Sequence, residues 1–358
     1  MEIIELDDVG KFAAYEDALD DLLRRSHGKH LYMTFDYIYS WLTSFGCDTF
    51  KIILVKDKGA ITGFLPIARS GQKYHAKTSV YTMAGEGLWG YADIVADDDY
   101  RKGVVGAILD HLFKTLKFGK LEIGPLHYNS PNLPIMREYL ADKRRKMDVE
   151  IMHDSPFIDT RMDFNSYLKN KLTRKSTLPD VNRCMRRLGE MGCLTYRKID
   201  RHNIVTEKEL VGYLDKFFEM YNRQWEQNRF KKNRKFYDLY VNFAVRAQKK
   251  GYLECSMLYL GESIIAFHYG FLFNNCRYYF TPTYDITYKK YSPGKILLYY
   301  LIKDSFEQKV EFDFMNSPEP YKLEWTDTIQ KRVMVKIYAD AMAKAYFHLA
   351  SIYRKIKP

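Results

Sequence analysis

Two short stretches of the sequence carry residue types able to do chemistry. One is YKKYSPGKILL, Tyr288 to Leu298. Pro293 suits the first turn of a helix, where its missing N–H would have no partner anyway. Gly294 allows close approach to the backbone, and the N–H groups that follow lie at the positive end of a helix dipole. Lys289, Lys290 and Lys295 add charge, which makes Ser292, Gly294, Lys295 and Ile296 the candidate holders of a pyrophosphate. A Ser-Pro helix start with solvated lysines is the plainer alternative. The other stretch is DFMNSPEPYK, Asp313 to Lys322, in which Glu319, Tyr321 and Lys322 stand close together. Glu319 and Lys322 are three apart, a spacing that on a helix also allows an ordinary ion pair.

The chain contains a counter-example to the first stretch. At the matching place in its first half it reads YADIVADDDYRKGV, with Asp97, Asp98 and Asp99 at the entrance of the next helix. Three carboxylates suit a helix N-terminus but repel a pyrophosphate. Charge divides in the same direction. Residues 1–150 hold 20 Lys+Arg against 22 Asp+Glu and the remainder 36 against 23, so the whole net charge of +11 arises in the second half. An anionic ligand on that half is the expectation, whether nucleotide, nucleic acid or membrane.

These residues need elements to position them, and periodicity supplies a map. The order strand, two helices, three antiparallel strands, helix, strand, helix, strand occurs twice. Lys58-Gly59 and Gly261-Glu262 are the hairpin signals joining the first two of the three strands in each copy. In the second copy the third strand, CRYYFTPTY, runs into the helix that starts near Pro293, and KRVMVKIY from Lys331 closes the unit. The fold class is α/β, as two tandem units, each a mixed and largely antiparallel sheet flanked by helices. The expected domains are 1–155 and 156–358, the second ending in an amphipathic helix from Ala341 to Lys357.

Composition removes several classes. With 358 residues, 46% of them hydrophobic, and 22 Phe, 30 Tyr and 4 Trp, disorder is excluded and two cores are affordable in size. The longest apolar run, Ile296 to Ile302, is far short of a bilayer span. MEIIELDDV is acidic and lacks a signal-peptide core, so a cytoplasmic protein is expected. Five cysteines, an odd number with no Cys-x-x-Cys, read as free thiols. His27 and His30 have no Cys or carboxylate cluster beside them, and no metal is expected.

Taken in order, the second half resembles a known family. Arg186-Arg187-Leu188 with Gly192, then Arg223 and Trp225, then Gly251, Gly261 and Ala266, then Asp285 before Ser292-Pro293-Gly294, and last DFMNSPEPYK with Trp325, are similar to the tandem GNAT acyltransferases. Among these they most resemble the CelD/BcsL group of cellulose and exopolysaccharide biosynthesis, with its BioF-like acetyltransferase domain. WLTSFG (Trp41 to Gly46) and GFLPIAR (Gly63 to Arg69) extend the likeness to the first half. The family pattern usually has Gly two residues before the Glu of E-x-Y-K, where this chain has Ser317, followed by Pro318.

The resemblance implies an acetyl-CoA-dependent N-acetyltransferase without a metal, which passes the acyl group directly from thioester to amine. It further implies an amino sugar or related glycan precursor as acceptor. Such chemistry needs a base, an oxyanion stabiliser and a proton donor to the departing thiolate. Glu319 or Asp285 would be the base, Lys322 would balance negative charge, and Tyr321 would supply the proton. His268 alternates with Ile264 and Ala266 and reads as a core histidine. Two other classes stay open. One is a FemABX-like aminoacyltransferase that takes aminoacyl-tRNA, and the other a non-catalytic binding module of a polysaccharide machine, with peripheral membrane contact through the C-terminal helix.

Overall fold

In a computed structural model, the structure describes residues 1–26, 31–46, 49–70, 79–85, 91–152, 154–225 and 229–356. His27, His30 and Cys47 lie outside the described residues. The chain divides into two units, 1–152 with 331–358, and 153–330.

The first unit contains β1 (Glu2–Leu6), α1 (Val9–Ala13), α2 (Glu16–Arg24), α3 (Phe35–Phe45), β2 (Phe50–Asp57), β3 (Ala60–Arg69), β4 (Val80–Met83), β5 (Val95–Ala96), α4 (Arg101–Thr115), β6 (Lys120–His127), α5 (Asn132–Asp142) and β7 (Lys146–Ile151). The second contains β8 (Ser155–Ile158), α6 (Phe164–Asn170), α7 (Thr177–Gly189), β9 (Leu194–Ile199), α8 (Glu207–Gln224), α9 (Arg229–Lys232), α10 (Arg234–Lys249), β10 (Leu253–Leu260), β11 (Ser263–Phe273), β12 (Cys276–Tyr284), α11 (Pro293–Gln308), β13 (Glu311–Asp313), α12 (Pro320–Leu323) and β14 (Ile329–Gln330). The chain then returns to the first unit as β15 (Arg332–Tyr338) and α13 (Ala341–Ile356). Sheet order is β1-β2-β3-β4-β6-β15-β7, with β5 on β3, in the first unit, and β14-β8-β13-β12-β11-β10-β9 in the second.

Each sheet is mixed and mostly antiparallel, with one parallel contact: β4 on β6, and β12 on β13. In the second unit the sheet is covered on both faces. Leu258, Ala266, Tyr279, Phe312 and Phe314 pack under Ile296, Leu297, Leu301 and Val181 from α11 and α7. Phe217 of α8 meets Phe267 and Tyr269 across the other face, and Phe243 of α10 meets Phe271. Burial on both faces explains why these strands read as nearly continuous apolar runs. α8 starts at a full capping box, where Thr206 accepts the Glu209 N–H while the Glu209 carboxylate accepts the Thr206 N–H at 2.8 Å.

The domain boundary differs from the order read along the sequence. The crossing falls between 152 and 153, and β15 does not close the second unit. It pairs antiparallel with β6 on one side and β7 on the other. Val333, Val335 and Ile337 are buried there, and α13 follows, with Phe347 packed against Tyr338 and Val80. β8 takes the equivalent place beside β13 in the second sheet. The second half of the chain therefore supplies β15 to the first unit's sheet, whereas β8 pairs within its own unit. Two short apolar strands at the same point of a repeat carry no local signal that says which sheet they enter.

Candidate active site

The parallel ladder between β12 and β13 is only three residues long, Cys276↔Glu311, Arg277↔Phe312 and Tyr278↔Asp313. β13 ends at Asp313, whereas β12 continues to Tyr284. The two strands thus splay, and the far part of β12 has an open edge. A bulge between β11 and β12 at Tyr269/Phe271 lies beside the point of divergence. His268 braces it. The Phe280 N–H donates to His268 Nε2 at 3.2 Å, and the ring stacks on Tyr279 with centroids 4.9 Å apart. The ring also fills the space above Gly270, where a Cβ would come within 2.0 Å of it. Burial pushes the His268 pKa down to about 3, with the Arg277 charge adding to the effect, so the ring is neutral and carries its proton on Nδ1. Nδ1 itself is buried without a partner among the described residues.

Past β12, Asp285 starts a 3-10 turn over Ile286–Tyr291, and its carboxylate accepts the Thr287 N–H at 2.9 Å and the Thr287 hydroxyl at 2.8 Å. Ser292 then takes the left-handed conformation (φ 48°), and Pro293 opens α11. The Lys295 and Ile296 N–H groups both donate to the Ser292 carbonyl, at 3.0 and 3.2 Å. Among the described residues, Gly294 is the donor of this turn left without a backbone partner. A Cβ on Gly294 would sit 3.3 Å from the Tyr284 ring, so glycine here also lets the helix approach the end of β12. Ile296 is wholly buried in the core. Lys295 is already engaged: its ammonium lies 2.6 Å from Glu324, which also accepts from Arg174 at 2.8 Å and Thr177 at 3.2 Å. Burial works to raise the Glu324 carboxyl, and these partners outweigh it and hold it below its ordinary value.

The third group comes from the chain just beyond β13. Met315 and Ser317 both adopt left-handed backbone, at φ 62° and 67°. Ser317 thereby holds a region that glycine adopts without a Cβ penalty. Lys322 holds the loop. Its ammonium, with the side chain 6% exposed, reaches the Asn316 carbonyl at 2.6 Å, the Ser317 carbonyl at 3.2 Å and Glu319 at 2.6 Å. Glu319 remains 45% exposed, and Tyr321 is hydrogen-bonded to Tyr279. Desolvation pushes the Tyr321 phenol up and the Glu319 charge adds to it, against the opposing Tyr279 bond, so the phenol keeps its proton.

Glu319, Tyr321 and Lys322 are thereby brought together with Tyr279, while the Asp285 carboxylate is spent on its own turn. Sequence reasoning missed Tyr279, Glu324 and the anchor of α11. That anchor is Arg277, fully buried, with Nε and Nη2 on Glu254 at 2.6 and 2.9 Å, Nη2 on Asp304 at 2.6 Å and Nη1 on the Leu301 carbonyl at 2.8 Å. Its surrounding carboxylates hold the guanidinium protonated in spite of burial.

At the corresponding entrance in the first unit, α4 is sealed by its own side chains. Asp97 pairs with Arg25 and Asp98 with Arg101. Arg101 also donates to Asn132 at 2.9 Å, and Asn132 donates to Asp93 at 2.9 Å. Among the described residues no group of three or more His, Cys, Asp or Glu is placed to hold a metal ion, and no helix is long and apolar enough to cross a membrane.

Residues 175–323, from just before α7 to the end of α12, match the family model described as an acetyltransferase (GNAT) domain. No curated protein matches the chain. Among solved structures, FemX aligns over 96% of this chain and 99% of its own at 11% identity and a TM-score of 0.64. A conserved protein of unknown function from Bacteroides thetaiotaomicron covers 94% and 100% at 14% identity and 0.60, and L-PGS from Bacillus licheniformis 93% and 94% at 11% and 0.59. At such identities the likeness concerns the fold, and it extends over both units.

Proposed function

We propose that this chain, an acyltransferase by its GNAT-type domain, transfers an acetyl group from acetyl-CoA to an amine in the cytoplasm, the amine being an amino sugar or related precursor of a surface polysaccharide. One observation carries the reading. The splay of β12 from β13 opens between the α11 entrance and the Glu319–Lys322 group, so a long thioester can have its phosphates at one and its reacting carbon near the other. Ser292, Gly294, Lys295 and Ile296 form the phosphate end, with the free Gly294 N–H and the helix dipole as its main attraction. Lys295 contributes once a phosphate competes with Glu324. Glu319 serves as base, directly or through water, and Tyr321 as proton donor to the thiolate; Asp285 is the base to test if Glu319 is not. Lys322 shapes the loop and screens Glu319. The first unit is degenerate for CoA, since Arg25 and Arg101 close its entrance with Asp97 and Asp98. α13 leaves Met342, Leu349, Ile352 and Tyr353 exposed, a face suited to peripheral contact with a membrane-bound partner machine.

Gly294→Asp should abolish or strongly weaken CoA binding. Its Cβ presses on Tyr284, and its carboxylate adds negative charge at the entrance. Asp98→Ala should leave binding as it is. Calorimetry with CoA checks both, and the reverse pattern would place the site in the first unit.

A second reading, aminoacyl transfer from aminoacyl-tRNA, draws on the unpaired basic residues Arg187 and Lys289 on α7 and the adjoining 3-10 turn, which are exposed and make no ion pair among the described residues. A tRNA carrier contacts many phosphates, so its affinity falls steeply with salt, whereas CoA binding has a shallow slope. Filter binding over a salt series separates the two. Absence of tRNA binding at low salt eliminates the second reading.

A further inference from the structure

The open edge of β12 is not empty of partners. The Asp285 N–H points to β11, where it donates to the Ile265 carbonyl at 2.9 Å. Alternation along a strand then turns Tyr284 and Pro282 the other way, into the splay. Pro282 has no N–H, and Phe280 gives its N–H to His268 at the bulge. Tyr284 is left as the outward donor, and the Gln224 side chain takes it, Oε1 accepting the N–H at 3.2 Å. The same oxygen accepts the Thr283 hydroxyl at 2.8 Å. Gln224 is the last residue of α8, so a helix end delivers one amide carbonyl to the strand edge.

An amide carbonyl on an outward N–H is what an added strand would offer. The pantetheine arm of CoA is an extended chain with two secondary amides and can pair with a strand edge in the same manner. The Tyr284 N–H can hold one acceptor in good geometry. We propose that Gln224 is an internal occupant of the acyl donor's place: its side-chain amide holds the Tyr284 N–H in the ligand-free protein, and an amide carbonyl of the pantetheine arm replaces it on binding. The inference rests on the acyl-CoA reading and adds a residue that sets the affinity for the arm alone. Thr283 is the latch, because its hydroxyl fixes the Gln224 oxygen while its own backbone N–H faces β11.

Exchange of one hydrogen bond for another gives the arm no net gain at this point. Removing the occupant restores that gain, which for an ordinary hydrogen bond amounts to about 3- to 10-fold in affinity. The test is calorimetry on the full chain with two probes: CoA, and 3′,5′-ADP, which has phosphates but no arm. Gln224→Ala should bind CoA about 3- to 10-fold more tightly than wild type, and Thr283→Val about twofold more tightly, as expected for loss of one or both bonds. Both should bind 3′,5′-ADP as wild type does, which also reports that the site is folded. Wild-type or weaker CoA binding by both variants, with 3′,5′-ADP binding intact, overturns the inference alone. A wild-type protein that binds neither probe overturns the acyl-CoA reading and the inference with it.

Discussion

Glu319→Gln should lower turnover by about 10²–10⁴ while CoA affinity stays near wild type, the loss expected when a general base is removed. Gln keeps the shape and leaves an amide oxygen for the Lys322 ammonium, which now lies 2.6 Å from the carboxylate. A purely structural i,i+3 pair would behave differently, costing a few tenths of a kcal/mol in stability with turnover unchanged. Lys322→Met gives the contrast. It leaves the Asn316 and Ser317 carbonyls without their donor and frees a loop with two left-handed residues, so melting temperature and turnover should fall together. Turnover and thermal melting of both variants separate base from clamp. Normal turnover in Glu319→Gln would move the base assignment to Asp285.

Arg277→Met should destabilise the protein by about 3–5 kcal/mol, because it strands Glu254, 1% exposed, without its counter-charge. The guanidinium ties β12 to β10 through Glu254 and to α11 through Asp304, Ser305 and Leu301. The pair Arg277→Met with Glu254→Gln should recover part of the loss, since no unpaired charge then remains. Denaturant unfolding of the two single variants and the double variant measures this coupling. A loss below about 1 kcal/mol for Arg277→Met would mean that apolar packing alone holds α11 in place.

Much of the frame around the site is local and was legible in the sequence. The Lys58-Gly59 and Gly261 hairpin signals fall at residues with φ of 47°, 90° and 58°, and the Ser-Pro-Gly start of α11 lies where Pro293 predicts it. The acidic entrance of α4 was equally plain, because Asp97, Asp98 and Asp99 are consecutive. What escaped depends on where strands part. Tyr279 looks like any apolar strand residue until the bulge and the splay turn its hydroxyl toward Tyr321, and Gln224 looks like a solvated helix end until α8 crosses β12. His268 was read as a core histidine, and it is buried and neutral, yet its work is to hold a backbone N–H that only the bulge leaves unpaired. Arg277 carries no spacing signal, for its three carboxylate and hydroxyl partners lie 23 to 28 residues away.

The return of β15 to the first sheet imposes an order on how the chain is made. β15 joins β6 to β7 in the first sheet, yet it is translated after every residue of the second unit. A nascent first half therefore emerges with β6 and β7 lacking the strand between them, and it must wait through the synthesis of residues 153–330 before that gap closes. β8, by contrast, is ready before the strands it joins. Pairing across so many intervening residues is slow, because loop closure precedes the contacts that reward it. Exposed strand edges during that wait are where a nascent chain pairs wrongly. The second unit carries all its own strands once Gln330 is made, so the half that matches the acetyltransferase domain model has its sheet complete while the first is still unfinished.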